Sequence, residues 1–185
     1  MRHYDYLHSP HGRMLLVADG RALTGAYFVG QKHQPRIEAD WMRAPQHPPL
    51  RQAKRELAEY FSGTRARFSV PVAPDGTAFQ RAVWQAIARV PFGRTIAYGE
   101  LARRAGRPGS ARAAGVATGR NPLGIIVPCH RIVGANGALT GYAGGLSRKQ
   151  ALLALEARVP FGYHARSGTA PVEPLAGRPG GPGRP

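Results

Sequence analysis

The chain has 185 residues with a formal net charge of +16, and 43% of it is hydrophobic. That length and apolar content support a folded core and exclude a wholly disordered protein. No apolar run approaches the roughly 20 residues of a membrane span, the N-terminus lacks the apolar stretch of a secretory signal, and a single Cys excludes an internal disulfide framework or a multi-thiolate metal site. A cytoplasmic, basic, globular protein is expected, with a polyanion as partner and nucleic acid first among polyanions.

The first elements read as a meander. His3–Leu7, Met14–Ala18 and Leu23–Val29 are strand-like, with turns at Ser9-Pro10-His11-Gly12 and Asp19-Gly20. Residues 30–49 carry four prolines and read as a loop. Leu50, Ala53, Leu57 and Tyr60 then recur at helical spacing until Ser62-Gly63. Residues 67–72 suggest a further strand, and Pro74-Asp75-Gly76 a linker.

Thr77-Ala78-Phe79-Gln80 is a capping box, opening a helix whose stripe is Phe79, Val83, Ile87 and Val90. A short helix over 98–105, a Gly-containing turn and a helix capped by Ser110 and running to about Gly119 form a helix-turn-helix arrangement. Residues 125–127 form an apolar run into Pro128-Cys129-His130-Arg131. Residues 134–145 are a Gly-rich loop. Ser147-Arg148-Lys149-Gln150 reads as a second capping box, with a helix through Ala157. Residues 164–185, dense in Gly and Pro, read as a disordered tail. The fold class is therefore α/β (α+β). A small N-terminal α/β domain with a short antiparallel sheet (1–75) precedes a mostly helical, winged-helix-like domain with a helix-turn-helix (76–163). The second segment holds 12 basic residues and only two carboxylates, Glu100 and Glu156.

By residue type alone, a lone thiol is a small buried apolar group, His130 a satisfied turn residue and Glu156 a solvated helix-end charge. Together they suggest more. A thiol beside a base and positive charge can ionise and become a nucleophile, and its base needs a group that fixes its tautomer. Glu156 is the candidate for that orienting group.

Three blocks carry a family resemblance: Asn121-Pro122, then 126–134 (Ile-Val-Pro-Cys-His-Arg-Ile-Val-Gly), then 139–146 (Leu-Thr-Gly-Tyr-Ala-Gly-Gly-Leu). With 76–84, 91–93 and 98–102 in the same order, the chain resembles the methylated-DNA–protein-cysteine methyltransferases, the O6-alkylguanine-DNA alkyltransferases, over about residues 57–160. The resemblance implies DNA repair by direct, irreversible, single-turnover transfer of an alkyl group from O6-methylguanine, or O4-methylthymine, to Cys129. His130 would act as base through a water, Glu156 would orient it, Asn121 would serve as hinge, and Tyr98 would donate a proton to the guanine. The backbone around Cys129 and Ile132 would read the base edge. Tyr142 would wall the pocket, the Ala143 N–H would contact O6, and Lys149 would sit near the departing oxygen.

The resemblance further implies that the second helix enters the minor groove of double-stranded DNA and that the damaged nucleotide is flipped out. Arg112 would fill the vacated space, and Ala111, Ala113, Ala114, Gly115 and Thr118 would give the helix its small face. Arg120 joins Arg94, Arg103, Arg104 and Arg107 in a basic rim. No cofactor or obligate protein partner is implied, and a monomer is expected; a zinc site occurs in some relatives, but with the single Cys committed, and His3, His8, His11, His33 and His47 read as surface or loop residues, no adequate ligand set is found and no metal is expected. Two other function classes share features with this sequence. A non-catalytic alkylated-base-binding protein would lack the acceptor Cys, and a winged-helix regulator would make the Pro-Cys-His-Arg block incidental.

Overall fold

The computed structural model describes residues 1–159; the expected tail, 164–185, lies outside them. Three strands form antiparallel hairpins: β1 (Arg2–Ser9), β2 (Gly12–Asp19) and β3 (Ala22–Phe28). Gly20, at φ 60°, supplies the left-handed residue of the tight β2–β3 turn. Residues 30–49 are not all loop, because β4 (Met42–Arg43) pairs parallel to β1 and completes a sheet of order β3-β2-β1-β4. A two-residue edge strand has no alternation to read from sequence.

Helix α1 (Pro48–Phe61) starts on prolines, which cost nothing in a first turn because those N–H groups lack helical partners anyway. Its Glu56 is fully buried and accepts from the Ser69 and Val70 N–H groups, the Ser69 hydroxyl and Gln52. Those backbone bonds explain why the expected strand over 67–72 does not form. Glu56 takes two of the N–H groups a ladder would use, Pro71 has none, and only a bridge between Leu23 and Val72 remains.

Helix α2 (Ala78–Ala88) has both bonds of the capping box: Gln80 N–H donates to the Thr77 hydroxyl, and Thr77 N–H to the Gln80 side chain. Thr77→Ala should therefore destabilise the chain by about 1 kcal/mol, read as a shift in urea midpoint at unchanged slope. A midpoint within error of the parent would refute the capping contribution.

Strand β5 (Ile96–Ala97) leads into α3 (Tyr98–Arg104), and a turn with left-handed Gly106 and Gly109 leads to α4 (Ala111–Gly119). Ser110 makes no side-chain cap. A 3-10 turn (Cys129–Arg131) and β6 (Ile132–Val133), parallel to β5, follow. Helix α5 (Leu146–Arg158) begins two residues earlier than expected, because Gly145, at φ 91°, is its N-cap and Lys149 N–H donates to the Gly145 carbonyl. Ser147 thus lies inside the first turn and cannot cap.

One apolar core joins the two halves. It runs from Met14, Leu16 and Phe28 of the sheet through Leu57 and Tyr60 of α1 to Trp84, Ala117, Ile132 and Leu152. Backbone bonds cross as well: Ala26 N–H donates to the Pro122 carbonyl, and Gly124 N–H to the Ala26 carbonyl.

Candidate active site

Cys129 opens the 3-10 turn and is 6% exposed, at the wall of a cavity of about 180 Å3. Lys32, His33, Tyr98, Thr118, Tyr142 and Ala143 are among its other lining residues, with Gly115, Gly119 and Gly141 between them. The turn is held from below by Asn121, whose side chain donates to the Val127 carbonyl at 2.8 Å and accepts from Leu123 N–H at 3.0 Å. Asn121 thus ties the end of α4 to the segment entering Cys129.

Burial pushes the Cys129 thiol up from its ordinary range. Hydrogen bonding from Asn121 and the charge of Lys149 pull it partly back. The resting group is a protonated thiol, so attack needs a proton acceptor. His130, its chain neighbour, is fully buried. Its Nε2 lies 2.7 Å from Glu156 Oε1. Glu156 is held at a pKa of about 2, against its burial, by hydrogen bonds from His130 and Arg131, so it is ionised and only accepts. Nε2 must therefore carry the proton, and Nδ1 carries the lone pair. Nδ1 is buried with no hydrogen-bond partner among the described residues.

Desolvation also lowers the His130 pKa, while the Glu156 bond raises it and Arg131 lowers it. The imidazole is neutral because Glu156 has a second, permanent counter-ion. Arg131 binds it in a fork, Nε to Oε2 at 2.9 Å and Nη2 to Oε1 at 2.9 Å, and sends Nη1 to the Val90 carbonyl. The Tyr60 hydroxyl donates to Oε1 at 2.8 Å and Gly93 N–H to Oε2 at 2.9 Å. Every lone-pair direction of this buried carboxylate is met, as a charge in such surroundings requires.

Tyr98 rests its ring against Gly115 of α4, donates its hydroxyl to the Thr140 carbonyl at 3.2 Å, and is kept protonated by burial. Tyr142 stands opposite, and its hydroxyl is likewise pushed up by burial. A Cβ on Gly144 would lie 2.7 Å from the Tyr142 ring and 3.1 Å from Phe28, so only glycine admits that ring position.

Four of the expected contact residues are engaged within the fold. Lys149 is wholly buried and gives its ammonium protons to the carbonyls of Ile132, Thr140 and Gly141. It ties the 132–141 loop to α5. Ile132 is a core residue whose N–H goes to Cys129 and whose carbonyl accepts one bond from Lys149, which leaves that oxygen a second lone pair. Ala114 is wholly buried, so its methyl packs inward. Thr118 is also buried, with its hydroxyl on the Ala114 carbonyl, and reaches the cavity rather than the outer helix face. Both lie on the inner stripe of α4, a helical phase that a run of small residues does not reveal.

The outer face of α4 carries Arg112, Ala113 and Val116, with Arg120 just past its end; Ala111 and Gly115 are half-buried. Val116 is 64% exposed and was missed among its small neighbours. Of the basic rim, Arg103 and Arg104 are paired with Glu100. Tyr60 was also missed, because sequence shows it only as part of an apolar helix stripe. Among the described residues no three His, Cys, Asp or Glu side chains come together as a metal site, and no helix is long and apolar enough to cross a membrane.

Comparison with known proteins agrees with this geometry. Residues 2–74 match the ribonuclease-like domain of 6-O-methylguanine DNA methyltransferase, and residues 78–158 match its DNA binding domain. The methylated-DNA–protein-cysteine methyltransferase of Methanosarcina acetivorans is 44% identical over 154 residues, covering 83% of this chain and 97% of that one. That of Mycobacterium tuberculosis is 44% identical over 156 residues, covering 84% and 93%. The solved M. tuberculosis O6-methylguanine methyltransferase superposes with a TM-score of 0.79 at 43% identity, covering 86% of this chain and 94% of that one. The M. tuberculosis OGT solved in complex with DNA gives 0.78 at 43%, covering 84% and 92%. With both halves matched in order, this chain belongs to the methylated-DNA–protein-cysteine methyltransferase family.

Proposed function

We propose that the chain repairs O6-alkylguanine in double-stranded DNA by moving the alkyl group onto Cys129, once per molecule. A new S–C bond forms and the O6–C bond breaks. The thiol proton passes toward His130 Nδ1 through a bridging water, the electron pair of the broken O6–C bond stays on the guanine, which takes up a proton from Tyr98, and the imidazolium proton returns to the Tyr98 oxygen through solvent, so that one proton in all moves from thiol to guanine. The unpartnered, buried lone pair of His130 carries this reading. A carboxylate already neutralised by Arg131 leaves that lone pair available to take a proton.

The target base is stacked inside the duplex and must be extruded to reach a thiol that is 6% exposed. Helix α4 suits the narrow groove through Ala113 and the half-buried Ala111 and Gly115. Arg112 projects from its exposed face to occupy the vacated stack, and Arg120 takes phosphate. Residues 1–75 act as the support, giving Tyr60 to Glu156, and 76–163 act as the DNA-facing acceptor unit. Every group named here comes from one chain, so a monomer working in the cytoplasm suffices.

Arg112→Ala should slow alkylation of Cys129 by a duplex carrying O6-methylguanine at least about tenfold, as for loss of a hot-spot arginine. Alkylation by the free alkylated base should change far less. The two rate constants, followed by intact mass, decide the matter, and equal losses on both substrates would rule out a flipping role.

A further inference from the structure

The cavity has a wall that the second half of the chain does not supply. Lys32 and His33, from the turn after β3, line it together with Cys129, Tyr142 and α4. The turn is locked. Phe28 N–H donates to the Gln31 side chain at 2.8 Å, Gly30 N–H to the Gln34 side chain at 2.7 Å, and Lys32 N–H to the Ala143 carbonyl at 3.3 Å. His33 adopts φ 63°, a left-handed conformation that histidine tolerates better than most residues and that bends the chain at the cavity.

Lys32 is also the uncommitted lysine. Of the three in the sequence, Lys54 is paired with Asp5 and Lys149 is buried on carbonyls. Lys32 is exposed and has no ion pair among the described residues, and no carboxylate lines the cavity. The cavity volume of about 180 Å3 is below the roughly 300–1,000 Å3 of sites that enclose drug-sized ligands. It holds a base but not the sugar-phosphate attached to it. The phosphates of an extruded nucleotide therefore stay at the rim, where a flexible ammonium with three donors is well suited to them.

We infer that the 29–34 turn is a second DNA-contacting element, and that Lys32 binds a phosphate flanking the extruded nucleotide. This rests on the repair function proposed above, and it gives the N-terminal half a direct part in holding substrate.

The test uses the full chain with lesion duplexes in which the phosphate on one side or the other of O6-methylguanine is an uncharged methylphosphonate. Alkylation of Cys129 is timed by mass spectrometry. Lys32→Gln should slow reaction with the ordinary lesion duplex about fivefold, the scale of one exposed ionic contact. It should also flatten the salt dependence of the rate by about one charge, and Lys32→Arg should restore most of both. One of the methylphosphonate duplexes should slow the wild-type chain equally and slow Lys32→Gln no further. Arg51→Gln on α1 removes the same charge outside the cavity and should leave the coupling intact. Additive losses with both methylphosphonates, or no loss from Lys32→Gln, would overturn the contact. A wild-type chain that stays unalkylated by the ordinary lesion duplex would instead overturn the repair function itself.

Discussion

Cys129→Ser should abolish alkyl transfer, lowering the rate at least about 10^4-fold, the scale of losing a nucleophile from a cooperative catalytic group. The wild-type chain incubated with excess O6-methylguanine duplex should gain one methyl group, located by peptide mass spectrometry on Cys129. The Ser variant should gain none while still binding the duplex. The loss is large because the Ser hydroxyl is far less acidic than a thiol and the buried site already disfavours an anion. Methyl found on another residue, or residual transfer by the variant, would reject Cys129 as acceptor.

The pH profile of the wild type follows from His130. Desolvation holds its pKa below the ordinary 6.5, so the base stays neutral through the physiological range. Transfer should hold constant as pH falls to about 6.5 and decline only below it. A decline beginning above pH 7 would show an imidazole with a raised pKa.

Glu156→Gln should destabilise the chain by about 3–5 kcal/mol, the cost of leaving a buried charge without its partner. The stranded charge is Arg131, 5% exposed, whose fork on Glu156 has no replacement nearby. Urea unfolding measures the loss. Adding Arg131→Met should recover part of it, because the double variant buries no unpaired charge. A double variant less stable than Glu156→Gln alone would mean that packing, not charge, dominates there. Acid unfolding gives the sign. The folded pKa of about 2 lies below the ordinary 4.5, so the Glu156 contribution is fully present above about pH 4.5 and is lost as pH falls toward 2. The parent should therefore lose stability more steeply than Glu156→Gln across that window, and equal slopes would contradict the pairing.

The parts of the fold legible in the sequence were those fixed by local chemistry. The three long strands are parted by turns at Gly12 and Gly20, and the Thr77–Gln80 box opens α2 as its spacing implies. Readings failed where a distant group competes for the backbone. Glu56 takes the Ser69 and Val70 N–H groups, so 67–72 forms no ladder. Gly145 takes the N-cap position that Ser147 would have filled, and β4 exists only because β1 offers it an edge.

The site divides in the same way. Cys129 and His130 are chain neighbours, so their proximity is legible in the sequence, and the family blocks pointed to Glu156, Asn121 and Tyr98. Which atoms meet was not. Sequence could not place Tyr60 on a carboxylate 96 positions away, give Glu156 to Arg131 as well as His130, or leave Nδ1 unpartnered. Nor could it separate Ala114 and Thr118, turned inward, from Ala113 and Val116, turned outward.

By itself the sequence determined a folded core, a strongly basic second half, a single thiol and the family to which the chain is kin, because composition, turn chemistry and ordered motifs are local properties of the chain. Only the tertiary structure decided the protonation pattern and the boundary of the pocket. A buried carboxylate sets the histidine tautomer through contacts that span the whole chain, and the continuous core brings Lys32 from one half of the chain to a cavity built largely by the other.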